Sequence, residues 1–344
     1  MNQEQIRQNI QEEAHRLGFD LFGITTPEKI TDINFYNQWL DNGFAGEMDY
    51  LKRNLEKREN PRLLLPGTKS IICLGMNYHQ KIAFKDFKIA KYALGDDYHT
   101  FLKEQLHQLF LFIKNIYPHL EGREYTDTAP ILERSLAKRS GLGWIGKNSM
   151  LINPLKGSYF LLGELFLNID LEYNEKPFKN YCGNCTRCID ACPTSAIVAP
   201  GELNSNLCIA YLTIEAKTEI HPNLAAKMNE YIFGCDICQD VCPWNQKFAE
   251  ESSIDQTKPR EWINNKSIIE LLEMEQAEFS QNFKNSPVKR SKLKGLIRNV
   301  IAMISKSENA DYIPVLEKIR NKHGDIVNIQ IESTIKNLKS FSQK

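Results

Sequence analysis

The sequence has no charge excess: 43 Lys and Arg are matched by 43 Asp and Glu. Bulk charge therefore offers no sign of a nucleic-acid partner, which needs a local basic patch. Near the first residues there is no basic stretch leading into an apolar core, and no twin arginine. A cytoplasmic location is expected. No apolar run approaches a membrane span, so no membrane partner is expected. Cysteine is sparse, nine in 344 residues. In a reducing compartment a cluster of thiols reads as metal binding or redox chemistry, not disulfides.

What is present divides the chain. The length suits two or three domains. Residues 2–17 place Ile6, Ile10, Ala14 and Leu17 at helical spacing, and 100–117 do the same with Leu102, Leu106, Leu109, Phe110 and Ile113. Segments 20–24, 69–78 and 159–169 read as strands. Helices interleaved with buried strands give an α+β domain over 1–175. A linker is expected at 174–181, a cysteine-rich domain over 176–250, and a helical region over 251–344. In the last, helices are predicted at 267–283, 290–305, 312–322 and 325–338. The final three look like paired helices of a HEAT-like solenoid.

Eight cysteines lie between 182 and 242. The first group, Cys182-x2-Cys185-x2-Cys188-x3-Cys192-Pro193, is the bacterial ferredoxin run. Three of its thiolates bind one [4Fe–4S] cluster and the fourth reaches another. Cys235-x2-Cys238-x3-Cys242-Pro243 repeats the end of that run, with Cys208 as the displaced leading ligand. The crossing rule puts Cys182, Cys185, Cys188 and Cys242 on one cluster, and Cys192, Cys208, Cys235 and Cys238 on the other. Between Cys208 and Cys235, "IAYLTIEAK" and "LAAKMNEYIFG" are predicted helices. Structural zinc is the alternative, but it favours separate C-x2-C pairs. Cys73, alone in an apolar strand, reads as a core thiol.

The segments "PRLLLPGTKSII", "YALGDDYH", "DTAPILERSLAKRSGLGWIGKNSMLI" and "GSYFLLGEL", followed by the cysteines in this order, resemble epoxyqueuosine reductase over most of residues 1–250. The resemblance implies a nitroreductase-like N-terminal domain that binds cobalamin. It also implies two clusters that feed it electrons, and reduction of epoxyqueuosine to queuosine at the wobble base of tRNA, the last step of queuosine biosynthesis. The D-x-H-x-x-G motif of other cobalamin domains is absent, so cobalamin rests on the likeness alone. In the family's motif the aspartate of "DTAP" is the general acid, here Asp127. Its pKa is expected to be raised by burial against the corrin. Read without the likeness, an Asp before Thr-Ala-Pro is a helix N-cap. Arg58, His99, Lys147 and Asn148 fall in family-like motifs and are candidate cobalamin contacts.

Segment 285–299 holds Lys289, Arg290, Lys292, Lys294 and Arg298 with no acid among them, a candidate tRNA-binding patch. The target base must leave its stack, and Tyr98, Trp144 and Tyr211 are candidate aromatic flanks. A monomer with an unidentified reductant is expected. Two further readings are a cytosolic reductive-dehalogenase-like enzyme acting on a small molecule, and a ferredoxin-like electron carrier. The carrier needs neither the first 175 residues nor the "DTAP" block.

Overall fold

The computed structural model describes residues 2–173, 177–307 and 309–341. The expected domain boundary at 175/176, and the start of the linker at 174–181, lie outside the described residues. The first half is built on a four-stranded antiparallel sheet. Its strands are β1 (Leu21–Thr25), β2 (Ser70–Asn77), β3 (Gly122–Tyr125) and β4 (Phe160–Leu167), in the spatial order β1-β2-β4-β3. β2 and β4 are apolar along almost their whole length because both faces of the sheet are covered.

On one face, helices Gln3–Arg16 and Tyr98–Ile116 set Ile10, Leu102, Leu106 and Leu109 against Ile72, Leu74 and Leu165. On the other, helix Glu133–Arg139 covers Ile71, Cys73, Tyr125 and Phe166. Odd and even residues of β2 thus serve different cores, as strand pleating requires. Cys73 is a core thiol, as expected, and burial pushes its pKa up.

The cysteine segment is a set of short turns. Helix Ile209–Ile214 forms inside the insertion, but "LAAKMNEYIFG" is not one helix. Helix Pro222–Ala225 stops, Asn229 and Glu230 take positive φ (49° and 70°), and Tyr231–Phe233 becomes a strand pairing in parallel with Lys88–Ile89. Left-handed residues end a helix, and the aromatic triplet suits a buried strand better than an exposed helix turn.

The C-terminal helices appear where periodicity places them: Lys292–Ile304, Tyr312–Ile319 and Asp325–Phe341. The expected helix 267–283 is split into Ile268–Leu272, opened by a Ser267–Glu270 capping box, and Gln276–Asn282. These helices do not stand apart. Leu296, Val300 and Ile301 share one core with Leu212, Ile232 and Phe233 of the cysteine insertion, and with Phe87, Ile89 and Leu94.

Candidate active site and metal centres

Asp127 follows β3 in a left-handed conformation, φ 52°. It caps no helix: the next begins at Glu133, and its cap is Leu132. The N-cap reading of Asp127 is therefore replaced by a different arrangement. Asp127 N–H donates to Glu133 Oε1 at 2.5 Å. The Tyr98 hydroxyl donates to Asp127 Oδ2 at 2.6 Å, and His99 Nε2 lies 3.4 Å from the same oxygen. His99 Nδ1 in turn meets Asp97 Oδ1 at 2.7 Å. Asp97 caps the helix that carries Tyr98 and His99, which fixes both rings.

The expected rise in the Asp127 pKa is not what this arrangement gives. The His99 hydrogen bond, with help from Tyr98 and the Arg290 charge, holds the carboxyl below its ordinary value against the pull of desolvation. The same contacts, Asp127 first and Asp97 second, push His99 up to about 9. The pair therefore keeps one shared proton at neutral pH, stored on the imidazole side. The pKa of His99 is raised above the ordinary histidine value, so its stabilising contribution is complete below about pH 6.5 and fades as pH rises through about 9. Turnover should fall on that same alkaline limb. A pH profile of kcat/KM should show it in the native protein and lose it in His99→Gln.

The mouth is wide. The Asp127 side chain is 60% exposed. Tyr50, 44% exposed, feels the charges of Glu215, Arg290 and Asp127 as well as the Tyr36 phenol. Arg58 is buried, with its guanidinium 5.5 Å from the Tyr36 ring centre and Nε unpartnered. Asn37 Oδ1 is buried and unpartnered as well. Behind Asp127, burial pushes Glu133 up, and so does the Asp127 charge. Deeper still, Glu164 on β4 is fully buried, and neither carboxylate oxygen has a partner. Burial raises its pKa strongly, and the charges of Glu133 and Asp127 push the same way.

The eight cysteines fall into two sets. Burial raises Cys188, and then so do Cys182, Cys242 and Cys185; Cys242 feels Cys182 and Cys185. Burial raises Cys235, and Cys208 and Cys192 add to it; Cys238 feels Cys235 and Cys208. These are the two groups that the crossing rule assigns. Cys238 also feels Cys188, so the sets are neighbours. Among the described residues, no group of three or more His, Cys, Asp or Glu could hold a single metal ion. Zinc would draw four sulfurs onto one point, whereas a cube takes one thiolate at each of four irons.

The second cysteine loop is fastened to the end of the sheet by a buried polar net. Gln239 donates to the Tyr78 hydroxyl and accepts from Ser158 Oγ, and Asn245 bonds Ser158 and the Gln239 carbonyl. Gly157 permits this approach: a Cβ there would sit 2.2 Å from Asn245 Oδ1.

Lys147 and Asn148, candidate cobalamin contacts, are engaged by the cysteine loops. Lys147 Nζ donates to the carbonyls of Gly183 (2.7 Å) and Cys185 (3.0 Å), and Asn148 Nδ2 to that of Cys238 at 3.2 Å. Neither points a free polar group at the mouth. They tie the N-terminal domain to both cysteine loops, because backbone carbonyls in such tight turns have few other donors. Trp144 is buried and packs beside Cys182, and the Tyr211 hydroxyl accepts from the Glu47 N–H. Of the three aromatic flanks expected, only Tyr98 is at Asp127.

In the basic segment, Lys289, Arg290, Lys292 and Lys294 are exposed. Arg290 pairs with Glu215 at 2.7 Å, beside the mouth. Arg298 is a correction. It is 3% exposed and donates to the carbonyls of Leu212, Ala216 and Thr218. It lies on the inner face of its helix and cannot meet a phosphate. Arg298→Ala should cost about 3 kcal/mol of stability by leaving three carbonyls unpaired, with little effect on RNA affinity. Denaturant titration beside a tRNA-binding assay checks this.

Comparison with known proteins agrees with this geometry. A family model described as "Epoxyqueuosine reductase QueG, DUF1730" matches residues 58–128, and one described as "4Fe-4S double cluster binding domain" matches residues 181–245. The epoxyqueuosine reductase of Leadbetterella byssophila is 43% identical over 290 residues, 83% of this chain and 94% of its own. A crystal structure of epoxyqueuosine reductase with an epoxyqueuosine-modified tRNA-Tyr stem loop superposes with a TM-score of 0.85 at 28% identity, covering 98% of this chain and 100% of that one. The epoxyqueuosine reductase of Bacillus subtilis, with its catalytic aspartate loop swung out of the active site, gives 0.89 at 28% identity over 98% and 91%. By this identity and coverage, the chain belongs to the epoxyqueuosine reductase family.

Proposed function

We propose that this protein reduces epoxyqueuosine to queuosine in the anticodon of tRNA, with Asp127 giving a proton to the departing oxygen. The observation that carries the reading is the exposed, left-handed Asp127 held by Tyr98 and His99 beside Arg290. Converting the epoxide to an alkene breaks both C–O bonds, consumes two electrons and two protons, and releases water. One proton rests on the His99–Asp127 pair. Asp127 is the member that reaches into the mouth, and His99 replenishes it.

Cobalamin, when bound, supplies a strongly reducing cobalt centre. The unpartnered Arg58 Nε and Asn37 Oδ1 fit a ligand rich in amides with a phosphate tail, and Arg58 is our candidate contact. His99 already shares both ring nitrogens with aspartates, which favours a proton-holding role over cobalt ligation. Two [4Fe–4S] clusters, one on Cys182, Cys185, Cys188 and Cys242 and one on Cys192, Cys208, Cys235 and Cys238, supply electrons singly. Lys147 and Asn148 hold the loops of these quartets against the catalytic half.

In finer division, residues 1–175 form the nitroreductase-like cobalamin-binding catalytic domain. Residues 176–250 form the ferredoxin-like part, and 251–344 the HEAT-like region facing tRNA. A plain electron carrier has no use for the Asp127 cluster. Anaerobic incubation of the cobalamin-loaded protein with dithionite as reductant and epoxyqueuosine-containing tRNA should lower the nucleoside mass by one oxygen. An unchanged mass, with iron and cobalamin present, refutes the reading. Lys289→Gln/Lys292→Gln/Lys294→Gln should raise KM for tRNA and flatten its salt dependence by roughly two to three in log–log slope, while saturated kcat holds.

A further inference from the structure

The two cysteine sets differ in depth. Around the second, Tyr231, Ile232, Phe233, Asp236 and Gln239 are all buried. Asp236 accepts from the backbone of Lys91 at 2.7 Å. Tyr92, next in sequence, lies 6.1 Å from the ring of Tyr98, which bonds Asp127, and 6.3 Å from that of Phe233, so the second set is the one toward the active site. The 181–188 loop of the first set is peripheral: Tyr181, Gly183, Asn184, Thr186 and Arg187 are exposed there, while Cys242, which completes the set, is buried. Electrons bound for Asp127's side of the molecule therefore enter at the first loop.

The rim of that loop carries a charge bias. From residue 179 to 192 and along helix Pro243–Phe248, the charged side chains are Lys179, Arg187, Asp190 and Lys247. Asp190 is engaged by the Thr186 hydroxyl at 2.7 Å. Arg187 reaches Gln246 at 3.3 Å, which places loop and helix side by side. The Lys147 ammonium lies beneath the loop carbonyls and adds to the same potential. Tyr181, 49% exposed, stands beside Trp244, giving an aromatic centre to a basic rim. An exposed redox loop with a small apolar centre and a cationic border suits a transient partner of opposite charge.

We propose that the 181–190 loop, bordered by Lys179, Arg187 and Lys247, is the docking surface for a small acidic protein that delivers one electron per visit. This rests on reading the eight cysteines as two iron–sulfur sites. Two visits supply the two electrons for one epoxide, and the two protons come from the active site and solvent.

The test uses the anaerobic holoprotein and, as probe, a reduced plant-type ferredoxin. Stopped-flow bleaching of the cluster absorbance reads the second-order rate. At low salt, Arg187→Glu/Lys247→Glu should slow reduction by ferredoxin roughly tenfold or more, while iron content and reduction by dithionite stay as in the native protein. Native reduction by ferredoxin should itself slow as salt is raised. Salt independence, or equal native and variant rates, overturns the proposal. So does a variant slowed equally with both reductants. If dithionite-reduced native protein leaves epoxyqueuosine unconverted while the ferredoxin effect holds, the proposed function falls and the docking surface stands.

Discussion

Asp127→Asn should lower turnover by about a thousandfold, some 4 kcal/mol of transition-state stabilisation, with KM for tRNA nearly unchanged. Asparagine accepts the Tyr98 hydrogen bond and tolerates the left-handed backbone that Asp127 adopts at φ 52°. What it loses is the shareable proton. Without the carboxylate, His99 also loses its largest source of elevation and titrates nearer to neutrality. Single-turnover conversion, measured with iron and cobalamin contents matched to the native protein, isolates the proton step. Activity within a few-fold of native would remove Asp127 from the chemistry.

The second large effect concerns which thiols belong together. Each quartet should lose its cluster when one member is removed, so a single Cys→Ala variant drops from about eight irons to about four and loses turnover. Pairs decide the assignment. Cys188→Ala/Cys242→Ala strikes one quartet twice and should still retain about four irons. Cys192→Ala/Cys242→Ala strikes both and should retain almost none. The electrostatic neighbours of Cys242 are Cys182 and Cys185, far back in sequence, and not Cys235 or Cys238, seven and four residues away. Equal iron in the two double variants would mean that ligation follows sequence order, and the crossing would be wrong.

The strongest sequence signals were those with a fixed physical period or spacing. Helical repeats placed Ile6–Ile10–Ala14 and Leu102–Leu106–Leu109 in the core where they lie. The ferredoxin spacing assigned eight thiols to two sets, and the electrostatic neighbours of Cys188 and Cys235 follow the same division. Failures came where a side chain's direction mattered more than its type. Arg298 sits in the same basic stretch as Lys294, yet helix phase turns one inward to three carbonyls and leaves the other in water. Lys147 and Asn148 serve partners about 35 and 90 residues away, which no local pattern announces. The pairing of His99 with Asp127 spans two elements. Its one sequence trace was Asp97, a helix cap two residues before the histidine. Glu164 left no trace, because a buried unpartnered acid looks like any other glutamate in a string of letters.

The shared core of the C-terminal helices, the cysteine insertion and residues 87–94 has a consequence for biogenesis. The segment bearing Cys208 and Cys235 has no hydrophobic bed of its own until Leu296, Val300 and Ile301 arrive. During synthesis, the deeper iron site therefore has to wait for nearly the entire polypeptide to leave the ribosome. A chain cut after residue 250 would forfeit more than its last helices: the bed beneath Cys208 and Cys235 would go with them.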